Sequence, residues 1–490
     1  MLRSWNLNLT ITKSSGMPIY LQVSQQIIDE IQRGRLHPST AMPGTRELAE
    51  QLDVNRKTIV LAYDELIAQG WLTTEPRRGT FVSANLPHFF APKEVERVVE
   101  LPASETTEKL STYADTLTAK TTKDTIEFND GIPDTRLIPV ETLSKAFRHA
   151  LITPLRSNNL GYGDPRGMFD LRTAISNMVN MERGLNVDVE NICIARGSQM
   201  GIFLAARILT QPDDFVVVEN LSYPPAREAF RSCGATILTV DVDDNGIDVT
   251  ALEALCKKHP IRAIYVTPHH QFPTTVMMTA ERRLKLLLLA KKYDFFIIED
   301  DYDHEFHFEH HPVMPLASHD HDSRVIYVGS LSKVLAPGLR VGYVIASKAI
   351  IDRCASEVML IDRQGNSVTE LAVAKLMETG EIKRHIRKII KTYKERRNLT
   401  MDLLTSELSH VSSFKPPHGG LAIWLKINED IQLSSIVAGG LLTEKVRILP
   451  ASLFTESEEN INAIRLGFAS LSPKELSLGV GRLKAVFDGQ

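Results

Sequence analysis

The chain has 490 residues, 43% of them hydrophobic and 24% charged, which is the composition of a globular protein with more chain than one core usually serves. Its formal net charge of −4 excludes a strong overall field for nucleic acid, and four scattered cysteines argue against a disulfide framework or a structural zinc site. The N-terminus has no apolar run of signal-peptide length, and Leu284–Ala290 is too short for a membrane span. We therefore expect a cytoplasmic protein with no membrane association.

Residues 1–85 predict three helices followed by a β-hairpin. Isoleucines at helical spacing place the first helix at about 19–33, and a short helix that Thr45 is expected to cap follows the Pro43-Gly44 turn. Asn55 is expected to cap the next helix. The positions of that helix predicted to face the core are Ile59, Ala62, Tyr63, Leu66 and Ile67. Two short helices joined by a tight connection form a helix-turn-helix.

Basic residues fall at the two places of this unit that can face DNA. The first turn of the second helix exposes side chains that suit phosphates and guanine edges in the major groove: Arg56, Lys57 and Thr58. Short strands at 71–74 and 80–83 flank a turn, Glu75–Gly79, which carries Arg77 and Arg78 and forms a wing. Residues 1–85 hold nine basic and eight acidic residues, so DNA contact must come from these local positions.

The segment resembles the GntR family of winged-helix regulators. It meets almost throughout the family pattern of P-G-T/S-R-E-L-A, V-N/S-R-x-T-V, A-Y-x-x-L, G-W/Y-L and R-x-G-T-F-V. The resemblance implies DNA contacts by Arg46, Arg56, Lys57, Arg77 and Gly79. A winged helix used for protein contacts is the alternative, but the basic residues favour double-stranded DNA as the partner.

The pattern changes twice further along the chain. Residues 86–124 are rich in proline and polar residues and predict a linker. From residue 125 to 490, near-continuous apolar strands alternate with helical patterns: DFVVVEN, ATILTVDV, RAIYVTP, FFIIEDD and RVIYVGS. Such strands predict an α/β domain with a mostly parallel sheet covered on both faces.

Five motifs in this domain suit one cofactor, pyridoxal 5′-phosphate. Lys333 follows the strand RVIYVGS, where α/β sheets bind ligands, and a lysine can form a Schiff base with an aldehyde. Asp300 ends the strand FFIIEDD and can keep the pyridine nitrogen protonated. Ser330 and Arg340 are placed to hold the phosphate.

The other motifs are expected to form the rest of the cofactor site. Arg196–Met200 opens a helical run, where free backbone N–H groups and a serine hydroxyl form an anion site. Tyr302 can hydrogen-bond the phenolic oxygen of the ring, and Tyr223 can stack on its face. Arg465 can clamp a carboxylate through two hydrogen bonds.

In these motifs the chain resembles MocR/GabR-type regulators, which join a GntR domain to a fold-type I aminotransferase-like domain. The matching segments are NDGIPDTRLIP, GYGDPRG, TPHHQFPT, IEDDYDHEF, GSLSKVLAPGLRVGY and IRLGF. The resemblance implies that Lys333 holds the internal aldimine, Asp300 pairs with the pyridine nitrogen and Arg465 takes the carboxylate of an effector. Implied phosphate ligands are Gly197, Ser198, Gln199, Ser330, Arg340 and, across a homodimer, Tyr162.

Two departures from the family pattern leave the effector open. Thr275 replaces the glycine that usually follows Pro-Thr, and Pro450–Ser452 reads Pro-Ala-Ser where Pro-Gly-Ser is common. Both positions are expected to affect the shape of the effector pocket.

Two charged runs could suggest a metal site and a second DNA-binding site, but neither is expected. The run Asp300, Asp301, Asp303, His304, His307, His310 and His311 suggests a metal. Phenylalanines alternate with polar residues there, so a half-buried strand with a polar outer face is the favoured interpretation and no metal is expected. The basic run 383–397 is interpreted as a solvated helix face.

Three functions remain after the motifs are weighed. The favoured one is a ligand-responsive transcription regulator in which an amino compound, or pyridoxal phosphate itself, is the signal. The second is a working aminotransferase with an accessory DNA-binding domain, which a complete catalytic group set permits. The third is a DNA-binding protein whose aminotransferase-like part serves only for dimerisation.

Overall fold

The protein is described by a computed structural model that covers residues 9–12, 16–76, 78–87, 124–156, 161–309, 313–436, 441–442, 445–457 and 461–489. It divides into two compact units, residues 1–120 and 121–490, which are described separately. Most of the predicted linker, residues 88–123, lies outside the described residues, as do Arg77, His310 and His311.

The first unit is a winged helix. Its elements are α1 (Ile19–Gln32), α2 (Thr45–Gln51), α3 (Arg56–Ala68), β1 (Leu72–Glu75) and β2 (Gly79–Val82). One apolar face of each helix packs into a shared core that includes Ile27, Leu48, Ile59, Leu66 and Trp71. The antiparallel strands β1 and β2 pair Leu72 with Val82 and form the predicted hairpin.

Two details of the first unit differ from the sequence-based expectation. Gly44, rather than Thr45, is the N-cap of α2, and the Thr45 hydroxyl instead accepts a hydrogen bond from Arg56 Nε at 3.3 Å. Ile67, predicted to face the core, is 36% exposed because it lies on the outer side of α3. The Asn55 cap is confirmed, since its side chain accepts from the backbone N–H of Lys57 at 2.9 Å.

The second unit contains a seven-stranded sheet. In chain order its helices are α4 (Val140–Arg156), α5 (Phe169–Arg183), α6 (Gly197–Leu209), α7 (Pro224–Ser232), α8 (Val249–Cys256), α9 (Ala280–Tyr293), α10 (Lys348–Asp362), α11 (Ser367–Glu378), α12 (Glu381–Leu408), α13 (Leu433–Ile436) and α14 (Pro473–Asp488). Its strands are β3 (Ile126–Glu127), β4 (Ile192–Ala195), β5 (Phe215–Glu219), β6 (Thr236–Val240), β7 (Val242–Asp243), β8 (Gly246–Ile247), β9 (Ile261–Val266), β10 (Phe296–Asp301), β11 (Val325–Ser330), β12 (Gly342–Ile345), β13 (Ser412–Phe414), β14 (Ala422–Ile427), β15 (Leu441–Leu442), β16 (Val446–Arg447), β17 (Leu449–Pro450) and β18 (Ala463–Gly467).

All five strands predicted from apolar runs lie side by side in this sheet. The strand order is β4-β12-β11-β10-β9-β5-β6, with β12 antiparallel to both of its neighbours and the other pairs parallel. Neighbouring residues of β10 pack on opposite faces: Ile298 in a cluster with α6, and Ile297 in a cluster with α9. The prediction of a mostly parallel sheet covered on both faces is therefore confirmed.

A smaller antiparallel sheet near the C-terminus holds Arg465. Its strand order is β13-β14-β18-β17, and Arg465 in β18 pairs with Trp424 in β14. Among the described helices, none combines the length and the apolarity needed to cross a membrane.

Two expectations about charged runs need correction. Residues 302–305 form turns, and His307 makes a single bridge to Gly419 instead of a strand. Of the predicted polar outer face of Glu305, His307 and Glu309, Glu305 instead turns inward to bind the buried Arg183, so the prediction is wrong at that position. Six of the eight lysines and arginines of the basic run are exposed on α12 as predicted, but Arg396 and Arg397 are buried in ion pairs with Asp134 and Glu309.

Candidate cofactor site and DNA-binding surface

Lys333 and Asp300 meet at the edge of the sheet where the parallel strands end. The Lys333 Nζ atom lies 4.3 Å from the centroid of the Tyr302 ring. Burial lowers the pKa of Lys333, and the nearby carboxylates of Asp130, Asp303 and Asp300 oppose that effect. A lysine with a lowered pKa has more of the neutral amine that attacks an aldehyde.

Asp300 is a fully enclosed carboxylate that lacks one partner. Its Oδ2 accepts a hydrogen bond from the Tyr265 hydroxyl at 2.8 Å, while its Oδ1 is buried and has no hydrogen-bond partner among the described residues. Burial raises the pKa of Asp300 to about 7, although the Tyr265 hydrogen bond and the Lys333 charge lower it. A cationic N–H donor, such as a protonated pyridine nitrogen, fits this free oxygen and would favour its charged form.

A feature suited to binding an anion lies at the start of α6. The Gly197 backbone has a φ of +79°, and an added Cβ there would lie 2.8 Å from the Arg340 guanidinium. Arg340 Nη2 donates to the Arg196 carbonyl at 3.0 Å, which fixes the guanidinium beside the free N–H groups of this helix end. The residue types and their arrangement fit a phosphate group.

The other predicted phosphate residues are distributed around this feature. Ser198 and Gln199 lie in the first turn of α6, and Gln199 Nε2 donates to the Pro225 carbonyl at 3.1 Å. The Ser330 hydroxyl accepts from the backbone N–H of Ser332 at 3.2 Å. Tyr162 is 83% exposed on the surface, and its ring contacts the Arg363 guanidinium at 5.0 Å from its centroid. Within one chain, Tyr162 therefore remains a surface residue.

Aromatic rings and an arginine form a further group of contacts at the site. Tyr223 packs edge-on against Phe272, with 5.3 Å between ring centroids. Arg465 is 1% exposed and stacks 4.5 Å from the Phe272 centroid. Its Nε donates to the Asp130 carbonyl at 3.0 Å and its Nη1 to the Pro273 carbonyl at 2.6 Å. The Tyr302 hydroxyl donates to the His270 carbonyl at 3.0 Å.

Sequence reasoning missed three residues of this site. Tyr265 holds Asp300, Phe272 contacts both Tyr223 and Arg465, and Asp130 affects the Lys333 charge. For Tyr265 a signal was present: a tyrosine in the otherwise apolar strand RAIYVTP needs a buried partner for its hydroxyl.

The helix-turn-helix leaves its predicted DNA-binding residues on the surface. Arg46, Arg56 and Lys57 are exposed and Thr58 is half-buried. In the wing, Arg78 is exposed, forms an ion pair with Glu75 and lies over the Phe81 ring. Gly79 adopts a φ of +119°, which favours glycine at the end of this turn.

Comparisons with known proteins give a family match for each of the two units. Residues 123–483 match the family described as aminotransferase class I and II, and residues 19–82 match the bacterial regulatory proteins of the gntR family. The chain is 27% identical over 485 residues to the probable rhizopine catabolism regulatory protein MocR of Rhizobium meliloti, covering 98% of this chain and 96% of that protein.

A second regulator and a solved aminotransferase structure are also similar to this chain. The pyridoxine biosynthesis transcriptional regulator PdxR of Corynebacterium glutamicum is 28% identical over 438 residues, covering 89% of this chain and 90% of PdxR. The α-aminoadipate aminotransferase LysN of Thermus thermophilus, solved with N-(5′-phosphopyridoxyl)-L-leucine, superposes with a TM-score of 0.69 at 26% identity. That match covers 78% of this chain and 95% of LysN.

Proposed function

This chain belongs to the aminotransferase class I and II family with a gntR-family domain in front, and we propose that it is a MocR-type transcription regulator that senses a small amino compound at Lys333. The observation that carries the proposal is the juxtaposition of Lys333, the unpartnered Asp300 oxygen and Tyr302. The same chain exposes Arg56 and Lys57 on a helix-turn-helix. Because the partner is DNA, we place the protein in the cytoplasm.

The residues around Lys333 are assigned as follows. Pyridoxal 5′-phosphate, when bound, supplies an aldehyde that Lys333 holds and that an effector amine can take over. Asp300 Oδ1 would accept a hydrogen bond from the protonated pyridine nitrogen, and Tyr223 would stack on the ring. Tyr302 would turn its hydroxyl from the His270 carbonyl toward the phenolic oxygen. The start of α6, with Gly197, Ser198 and Gln199, holds the phosphate together with Ser330 and Arg340.

Arg465 is the residue through which an effector carboxylate would change the arrangement of two loops in the second unit. Its Nε and Nη1 donate to the carbonyls of Asp130 and Pro273, so a carboxylate that takes those hydrogen-bonding positions must displace the two carbonyls. An effector carboxylate would replace the carbonyls of Asp130 and Pro273 and so release both loops. The effector shifts DNA binding only if it binds one of the two loop arrangements more tightly than the other.

A screen of amino compounds against the full-length protein tests this function. We expect at least one compound to change both the visible absorbance of the loaded protein and its affinity for operator DNA. Matched compounds that lack the amino group should change neither. Rapid multiple turnover of amino donors with 2-oxo acids, together with no DNA binding, would instead favour the aminotransferase.

We also propose that the second unit forms a homodimer through the surface around Tyr162. Neighbouring apolar side chains on α10 are exposed there: Met359 by 47%, Leu360 by 80% and Ile361 by 48%. Large exposed apolar patches mark interaction sites. A partner subunit that covers this surface would also bring Tyr162 toward a phosphate site.

We predict that Leu360→Asp shifts the protein from dimer to monomer, because the added carboxylate would be desolvated at the interface. Sedimentation velocity at micromolar concentration measures the change. The control is Leu284→Asp, at a 55% exposed position on α9, which should leave the dimer intact. Equal sedimentation of both variants and the wild type would contradict this interface.

We predict that Gly197→Ala weakens pyridoxal phosphate binding. An L-residue at a φ of +79° costs about 1–2 kcal/mol, and its Cβ would push the Arg340 guanidinium away. An absorbance titration should show an affinity lower by about tenfold, which corresponds to about 1.4 kcal/mol. The control is Gly338→Ala, where an added Cβ meets no atom within 4 Å. Equal affinities of the two variants would contradict the assignment of Gly197 to the phosphate site.

A further inference from the structure

Three histidines from two separate loops converge beside the candidate cofactor site. His269 follows β9, whereas His304 and His307 follow β10. One ring nitrogen from each lies within 4.8 Å of the others, and the Nε2 atoms of His269 and His307 are 2.9 Å apart. The run of charged residues considered in the sequence did not include His269, because the two loops are brought together only by the pairing of β9 with β10.

Two of these histidines are buried with a ring nitrogen that has no partner. His269 is 2% exposed and His304 is 5% exposed, and neither His269 Nδ1 nor His304 Nε2 makes a hydrogen bond within the described part of the chain. Leaving a buried polar atom unpaired is costly, and a metal ion would give His304 Nε2 the partner that it lacks. The His304 Nδ1 contacts Asp301 Oδ2 at 2.8 Å, so its Nε2 carries the lone pair when Nδ1 donates.

The charges around the cluster favour a cation. Asp301 binds His304 at 2.8 Å, and Arg183, the cation that pairs with Glu305, lies 3.9 Å from Asp301. His270, which binds Asp303 at 2.9 Å, packs beside His307. Among the three histidines, His304 is held by Asp301 in the way that is usual at metal sites, where a carboxylate binds the other ring nitrogen of a histidine ligand.

We propose that His269, His304 and His307 bind a divalent transition metal ion such as Zn²⁺, with the fourth position left to water or a carboxylate. Imidazole nitrogens suit zinc, copper and nickel. Tetrahedral zinc with Zn–N bonds of about 2.0–2.1 Å separates its nitrogen ligands by about 3.3 Å. The 2.9 Å between the His269 and His307 nitrogens lies a few tenths of an ångström below this value, and nitrogens of the cluster that lie up to 4.8 Å apart must come closer by up to about 1.5 Å.

The ion would link the two loops that line the cofactor site. His269 precedes His270, whose carbonyl holds the Tyr302 hydroxyl, and the same loop supplies the Pro273 carbonyl to Arg465. His304 is two residues after Tyr302. The metal site needs only the three imidazoles, so it stands even if the proposed sensing function fails.

Metal counting on the full-length, tag-free protein tests the site. The protein is stripped with a chelator, dialysed against micromolar Zn²⁺ and analysed by plasma emission. We expect about one zinc per chain in the wild type and in His410→Ala, an exposed histidine paired with Asp488. His304→Gln and His269→Gln should each lower zinc affinity at least about tenfold. Equal zinc retention in these two variants and the wild type would overturn the proposal.

X-ray absorption of the zinc-loaded wild type provides a measurement that does not depend on the variants folding. We expect a first shell at about 2.0–2.1 Å with the outer-shell scattering of imidazole rings. A first shell without imidazole would contradict the site.

Discussion

Replacing Lys333 with alanine is expected to abolish both the visible absorbance of bound cofactor and the response of DNA binding to amino compounds. The lysine follows β11 and lies beside Tyr302, near Asp300. Its burial lowers its pKa, so a larger fraction of it is the neutral amine that reacts with an aldehyde. Without its amine the remaining contacts can hold the cofactor only non-covalently. Absorbance spectra and fluorescence anisotropy with operator DNA measure the two losses.

Two comparisons make this result specific. Lys348→Ala removes an exposed lysine that pairs with Glu190 on the same unit, and it should keep the wild-type spectrum and response. Lys333→Ala should retain DNA binding in the absence of effector, because its winged helix is unchanged. Persistence of the visible absorbance in Lys333→Ala would refute the assignment of the lysine.

Arg56→Ala is expected to weaken specific DNA binding by about 1–3 kcal/mol if Arg56 contacts a base. The Arg56 side chain is exposed in the first turn of α3, directly after the Asn55 cap and next to Lys57. Loss of a phosphate contact would instead weaken binding evenly across sequences and reduce its salt dependence. Anisotropy titrations against operator and scrambled DNA at several salt concentrations distinguish these outcomes.

Arg56→Lys is the informative companion variant. It keeps the charge but loses the planar guanidinium, so it should preserve phosphate binding and lose base discrimination. Arg33→Ala removes an exposed cation just after α1, outside the helix-turn-helix, and serves as the control. Unchanged affinity in a variant that lacks both Arg56 and Arg77 would contradict the assigned DNA surface.

The sheet and the main cofactor residues could be predicted because their signals are local. Each buried parallel strand is an uninterrupted apolar run, and Asp300 and Lys333 follow such runs directly. Parallel neighbours end at the same edge, so the two residues had to lie close together. The helix-turn-helix was predictable for the same reason, since its turns and the Asn55 cap are encoded within a few residues.

Contacts between separate segments were not predictable in this way. The hydrogen bond from Tyr265 to Asp300 and the meeting of His269 with His304 depend on the register between β9 and β10. Alternating phenylalanines predicted a half-buried strand at 305–309, but Glu305 turns inward to pair with Arg183. The Thr45 cap failed because its hydroxyl accepts from Arg56 on the next helix instead.

Chemical mapping of the cofactor attachment tests the central claim most directly. The protein is saturated with pyridoxal phosphate, reduced with borohydride and digested, and the modified lysine is located by mass spectrometry. We predict a single phosphopyridoxyl adduct on the peptide that contains Lys333. An adduct at other lysines alone, or no adduct after saturation, would contradict the account.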